Sequence, residues 1–281
     1  MVAPPMIKNS ALVLGAALAL AVAACSSTIS GHPSAGSAVT PLSSSVETNT
    51  TPDFPSSTSA GAATGCVPAA DYCDTFDDPS SGWPDEDPSH YFAKYDSYNG
   101  GSYQMGERTN AAISEDAPFN VAEAASDYSV QIDVDAALGQ GFGPTNEIGV
   151  VCWEHPIQGG GGTTSAFLLE LSDSKATIGL WDGADGSYHE ITSAAATGAL
   201  STTGWTHLTG LCLTTTSASS TQVELSLTVN GTAVISANYA KTASTYDWEV
   251  GDRVGLLAIG EGSDVFYDNF AVTGKCASTS C

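Results

Sequence analysis

Residues Tyr128 to Asp135 place Val130, Ile132 and Val134 at every second position, with Gln131, Asp133 and Asp135 between them. Successive side chains of a strand point to opposite faces, so this spacing specifies a sheet that is dry on one side and wet on the other. Asp133 and Asp135 are therefore expected on a solvated face. The same period recurs along the chain. Ile148, Val150 and Cys152 alternate with Gly149, Val151 and Trp153; Phe167, Leu169 and Leu171 alternate with Leu168 and Glu170; Val223, Leu225, Leu227 and Val229 share one face. Further strands are predicted at Ala176 to Trp181, Tyr188 to Thr192, Leu208 to Thr214, Val254 to Ile259 and Val265 to Val272. Asn230-Gly231 joins Val223–Val229 to Thr232–Ser236, because a type I′ turn needs positive φ at both central residues. A 3.6-residue period surfaces only as a short turn near Ala194 to Ala199. Many short strands with Gly-rich turns specify an all-β sandwich or barrel.

The chain ahead of these strands has a different character. Ala11 to Ala24 is an unbroken run of Ala, Leu, Val and Gly behind Lys8, too short for the ~20 residues that a helix needs to span a bilayer. It reads as the apolar region of a signal peptide, starting from Met1 or Met6. Val22-Ala23-Ala24-Cys25 resembles the lipobox of bacterial lipoproteins, which implies cleavage after residue 24 and diacylation of the Cys25 sulfur. The alternative is an ordinary secretory peptide with an incidental Cys. From 26 to 65, 18 of 40 residues are Ser or Thr, four are Pro and Phe54 is the only aromatic. Such a segment cannot bury a core. As a coil it spans ~35 Å, and fully extended ~130 Å, which suits a tether through a cell wall, glycosylated or bare. The expected organisation is a signal peptide at 1–24, a lipidated Cys and tether at 25–65, and one domain at 66–281. The expected location is the cell membrane, lipid-anchored and facing outside the cytoplasm.

The formal net charge is −24, from 7 Lys and Arg against 31 Asp and Glu. A nucleic-acid backbone or an anionic lipid surface would be repelled, so nucleic acid is excluded as a partner. Six cysteines follow Cys25: Cys66, Cys73, Cys152, Cys212, Cys276 and Cys281. An even number on an exported chain points to disulfides. No Cys-x-x-Cys occurs, and the five His are scattered, so a Cys/His zinc site is not indicated.

Several stretches in order resemble the concanavalin A-like lectin/glucanase superfamily, in the laminin-G-like version found on bacterial surface lipoproteins. They are Asp74-Thr-Phe-Asp-Asp-Pro-Ser-Ser-Gly-Trp83, Gly149-Val-Val-Cys-Trp153, Ala166-Phe-Leu-Leu-Glu170, the strand ending at Cys212, Leu227-Thr-Val-Asn-Gly231, Arg253-Val-Gly-Leu256 and Phe266-Tyr-Asp-Asn-Phe-Ala-Val272. An insertion from Pro156 to Thr164 departs from the pattern. The resemblance implies a two-sheet antiparallel jelly-roll sandwich, with its first and last strands adjacent, that binds glycans or peptides on a concave face or rim. It also implies a Cys152–Cys212 disulfide, and links between the chain ends, Cys73 with Cys276 and Cys66 with Cys281.

The superfamily's hydrolases carry a Glu-x-Asp-x-(x)-Glu strand, whose carboxyls share one face. This chain has none: Glu170-Leu-Ser-Asp173 is the nearest approach, and an i to i+3 pair points to opposite faces. Neither does a Gly-x-Ser-x-Gly elbow occur. Sugar-binding sheets stack pyranose rings on exposed aromatics beside polar groups. Trp153, Trp181 and Tyr188 are the candidates, with Asp182, Asp185 and Glu190 close by; for each Trp the alternative is core packing. Trp83, Trp205 and Trp248 have the look of structural residues, and His155 that of a loop residue. Asp74, Asp77 and Asp268 occupy positions where the superfamily often ties its end strands with calcium, and a solvated acidic cluster is the alternative. The functional expectation is recognition of a glycan or cell-wall polymer, with a partner-binding accessory protein of the envelope as the rival.

Overall fold

The computed structural model describes residues 70–85, 94–107, 112–119, 128–139, 141–156, 164–183, 186–216, 220–241, 253–260 and 263–276. The signal and tether segments with Cys25, and Cys66, Asp185, Trp248 and Cys281, lie outside them, as do the side chains of His155 and Cys276. Among the described residues every regular element is a strand: β1 (Tyr72–Asp74), β2 (Lys94–Tyr98), β3 (Tyr103–Glu107), β4 (Ala112–Asp116), β5 (Tyr128–Leu138), β6 (Glu147–Pro156), β7 (Thr164–Leu171), β8 (Lys175–Asp182), β9 (Ser187–Ala195), β10 (Thr206–Thr216), β11 (Thr221–Val229), β12 (Thr232–Ala240), β13 (Arg253–Ile259) and β14 (Ser263–Cys276). The predicted turn after Ala194 is one hydrogen-bonded turn, Ala199 N–H to Ala196 C=O at 3.0 Å.

The strands form two antiparallel sheets. The larger runs β12-β11-β10-β5-β14-β3-β2, with β1 also on β14, and the smaller runs β4-β13-β6-β7-β8-β9. β1 and β14 pair from Tyr72 opposite Val272 to Asp74 opposite Phe270, so the first and last strands are adjacent. The alternating apolar residues meet between the sheets: Val130, Ile132, Val134, Val223, Leu225 and Leu227 from one, Ile148, Val150, Phe167, Leu169 and Leu171 from the other. Asn230 and Gly231 carry φ of 49° and 76°, the left-handed pair that a type I′ turn requires. The fold is all-β, as the alternation specifies, and of the alternatives it is the two-sheet jelly-roll sandwich that the resemblance implies.

Cys152 on β6 and Cys212 on β10 form a disulfide between the two sheets, with a Cα–Cα distance of 6.6 Å. Cys73 is also disulfide-bonded, to a partner outside the described side chains. That partner is not Cys276, a correction to the expected link. Cys73 lies opposite Ala271, whereas Cys276 lies opposite Tyr128, five positions further along β14. At ~3.3 Å per residue the separation is about 16 Å, beyond the ~7 Å limit for a bridge.

Asp133 and Asp135 are a second correction. They are on the outer face, as the alternation requires, but they are only 8% and 1% exposed. The register sets His207 opposite Asp135 and Thr209 opposite Asp133. His207 Nδ1 lies 2.8 Å from Asp135 Oδ1, and the Thr209 hydroxyl donates to Asp133 Oδ1 at 2.7 Å. Gln131 Nε2 donates to Asp133 Oδ2 at 2.7 Å, and Asn269 Nδ2 to Asp135 Oδ2 at 3.0 Å. The polar face is thus a buried network joining β5, β10 and the β14 bulge. The two carboxylates push His207 up to about 9. Burial works to raise Asp133, but hydrogen bonds from His207, Thr209 and Gln131 outweigh it and hold Asp133 below the ordinary carboxylate range.

Candidate functional site

The outer face of the smaller sheet carries Trp181 on β8 and Tyr188 on β9, directly opposite each other. They are 37% and 40% exposed, the large exposed apolar side chains of the described residues. Tyr188 lies over Gly179, where a Cβ would come within 2.3 Å of its ring. The missing side chain at 179 lets the ring cross β8, and its hydroxyl donates to Glu170 Oε2 on β7 at 2.6 Å. Glu170 pairs with Gly149 of β6 on one side and Thr177 of β8 on the other. Glu170 is 1% exposed and Thr177 3%, yet Glu170 Oε1 and Thr177 Oγ1 have no hydrogen-bond partner. Val151, Ala166, Leu168 and Leu257 continue this face as an apolar cluster toward β13.

Charge on this face is lopsided. Lys175 Nζ is 2.7 Å from Glu190 Oε2, and the Ser193 hydroxyl donates to Glu190 Oε1 at 2.8 Å. Burial pushes Glu170 up to about 8; the Tyr188 hydrogen bond works against the rise and the charge of Glu147 adds to it. Glu147 is likewise raised, by burial first, with Lys175 opposing and Glu190 reinforcing. Tyr188 is held far above the ordinary phenol range by burial and by the carboxyl it faces. The chemistry on offer is an aromatic pair beside a buried carboxyl with one free oxygen.

The structure brings together Trp181, Tyr188 and Glu190 from the sequence-predicted set and separates the others. Trp153 is 1% exposed and packs in the core between the sheets. It is the extra residue of a β-bulge, since pairing with β7 jumps from Cys152 to His155 and pairing with β13 from Cys152 to Glu154. Its φ of 56° turns inward a side chain that plain alternation would send outward. Asp182 is 4% exposed and, as the next residue along β8, points to the opposite face from Trp181. Asp185 lies outside the described residues. Trp83 is structural, in ring contact with Phe76, Tyr103 and Phe270.

The calcium set is not assembled. Asp74 Oδ1 accepts the Phe76 N–H at 2.7 Å and so closes a turn. Asp77 accepts from the Thr75 hydroxyl at 3.0 Å, and Asp268 from the Asn269 N–H at 2.7 Å. Burial raises Asp268 to about 6, with the charges of Asp135, Asp77 and Asp74 adding to it. Among the described residues no group of three His, Cys, Asp or Glu side chains is placed to hold a metal ion.

Sequence reasoning missed Glu170 as a site residue, together with Glu147, Lys175, Thr177 and Gly179. The available signal was parity: Glu170 falls on the outward register of β7, and Gly179 on that of β8 beside Trp181.

No protein-family model matches the chain, and none of the curated proteins does. Among solved structures it is similar to a Bacillus subtilis protein of unknown function with a galectin-like fold, at TM-score 0.50 and 12% identity, over 73% of this chain and 96% of that one. Carbohydrate-binding module CBM66 from Bacillus subtilis matches at TM-score 0.38 and 11% identity, over 72% and 94%. The first of these likenesses assigns the domain to the galectin-like class of two-sheet β-sandwiches, as a statement of fold.

Proposed function

We propose that this chain is an exported lipoprotein, anchored through an acylated Cys25, whose jelly-roll domain recognises a glycan or cell-wall component on the outer face of its smaller sheet. The observation that carries the reading is the Trp181–Tyr188 pair. It is two exposed rings side by side with carboxyl and hydroxyl groups within the same face, the combination that takes the apolar face of a pyranose while fixing its hydroxyls. The galectin-like fold supports it, and the anchor rests on Val22-Ala23-Ala24-Cys25.

A glycan array followed by titration tests the site. Trp181→Ala and Tyr188→Ala should each weaken the bound saccharide about tenfold, the loss of ~1–1.5 kcal/mol of ring stacking, with the thermal transition retained. Trp153→Ala should instead lower stability by ~3–5 kcal/mol, as a core truncation does. Unchanged affinity in both Trp181→Ala and Tyr188→Ala would refute the assignment. For the anchor, Cys25→Ser should move the protein from the detergent phase to the aqueous phase; retention with the detergent would refute lipidation.

A further inference from the structure

We infer that the saccharide recognised on this face carries a free amino group, read by Glu170, Trp181 and Tyr188. The inference rests on the glycan-binding reading and specifies its ligand class. Three carboxyls converge on this face, those of Glu147, Glu170 and Glu190, each close enough to influence the others electrostatically. The cation placed among them, Lys175, is engaged by Glu190 at 2.7 Å, and Arg253 further across the sheet is engaged by Asp116 at 2.8 Å. Among the described residues Glu147 and Glu170 make no ion pair of their own and feel Lys175 only at longer range.

The polar atoms point the same way. Glu170 Oε1 and Thr177 Oγ1 are buried on directly opposed residues and lack partners, and a buried oxygen left unpaired is costly. An ammonium presents three donors and no acceptor, so it matches the spare carboxyl oxygen. The electron-rich ring faces of Trp181 and Tyr188 add attraction for a cation. Uronic acids and phosphate-bearing polymers would meet repulsion instead, on a chain of net charge −24.

Binding would also move a proton. Glu170, held protonated up to about 8 by burial, gives up its proton to solvent when an ammonium replaces it as the neutralising charge. At pH 5.5, where the free amine is already charged and Glu170 still protonated, the face therefore releases a proton on binding it, and a neutral sugar leaves Glu170 as it is.

The experiment titrates full-length protein with β-1,4-linked glucosamine oligosaccharides and with their N-acetylated counterparts, by calorimetry at pH 5.5, where the amines are charged, in two buffers of different ionisation enthalpy. The expected result is about tenfold tighter binding of the amine, from one cation–π and carboxylate contact, with a buffer-dependent heat that reports proton release. Glu170→Gln should bring the amine down to the level of the acetylated sugar and abolish the buffer dependence. Equal or tighter binding of the acetylated sugar, weakened by Trp181→Ala, would overturn the amine inference and leave the glycan site standing. No binding of either probe would overturn the amine inference, while the glycan reading stands or falls on the array.

Discussion

Replacing His207 with Leu is expected to lower the stability of the domain by ~3–5 kcal/mol, because it leaves two buried carboxylates without their cation. Asp135 is almost fully buried and Asp133 nearly so, and among the described side chains His207 is the cation paired with them, in a network with Gln131, Thr209 and Asn269. Asp135→Asn in the same background should recover part of the loss, which a merely packing role for His207 would not predict. The effect has a pH signature. His207 is raised to about 9 from an ordinary 6.5, so its contribution is fully present below 6.5 and is lost as pH rises through 9. Glu170, raised to about 8, and Asp268, raised to about 6, act in the same direction. The folded state favours their protonated forms, and that contribution fades as pH rises through those values. Urea unfolding at pH 6 and pH 9 should therefore show a domain more stable at the lower pH, with a smaller difference in His207→Leu. Equal stability of the two proteins at pH 6 would refute the network's role.

Removing the disulfide with the double substitution Cys152→Ala and Cys212→Ala should cost about 4 kcal/mol in the chain-entropy estimate for a loop of 60 residues. The bridge links the two sheets rather than neighbouring strands, so its loss frees the unfolded chain over a long loop. Both cysteines are fully buried, and Ala avoids burying an unpaired hydroxyl. The check is the urea midpoint of the double variant against that of the parent, both at pH 6. A midpoint within error of the parent's would contradict a structural role for the bridge.

The strands that alternate cleanly were legible in the sequence. β5, β6, β7 and β11 announce themselves by period two, and Asn230-Gly231 fixes its hairpin. β2 and β3 are harder to read because Lys94–Tyr98 lacks an apolar stripe, and Tyr103–Glu107 offers only Tyr103 and Met105 to the core. They are joined by Asn99-Gly100-Gly101-Ser102, where both glycines have positive φ and the Asn99 N–H donates to the Ser102 carbonyl at 2.7 Å.

The site was legible where parity holds and not where it breaks. Trp181 and Tyr188, singled out by residue type with core packing the alternative for Trp181, lie on the outward parity of their strands, whereas Trp153 is reversed by a bulge that leaves no mark in composition. Asp133 and Asp135 show the other limit. Parity gives the face of a residue, but its solvation depends on which side chains the neighbouring strand sets opposite, and His207 and Thr209 arrive from more than 70 residues away in sequence. Glu170 is buried for the same kind of reason, under a Tyr188 that only Gly179 admits.

The central claim, that the outer face of the smaller sheet is the binding surface, is tested most directly by NMR titration of a saccharide selected from the array, following the indole N–H signals of the tryptophans. The Trp181 signal should move with saturation while those of Trp83 and Trp153, buried in the core, stay in place. A saccharide that binds and leaves Trp181 unmoved, shifting residues of the larger sheet instead, would contradict the claim.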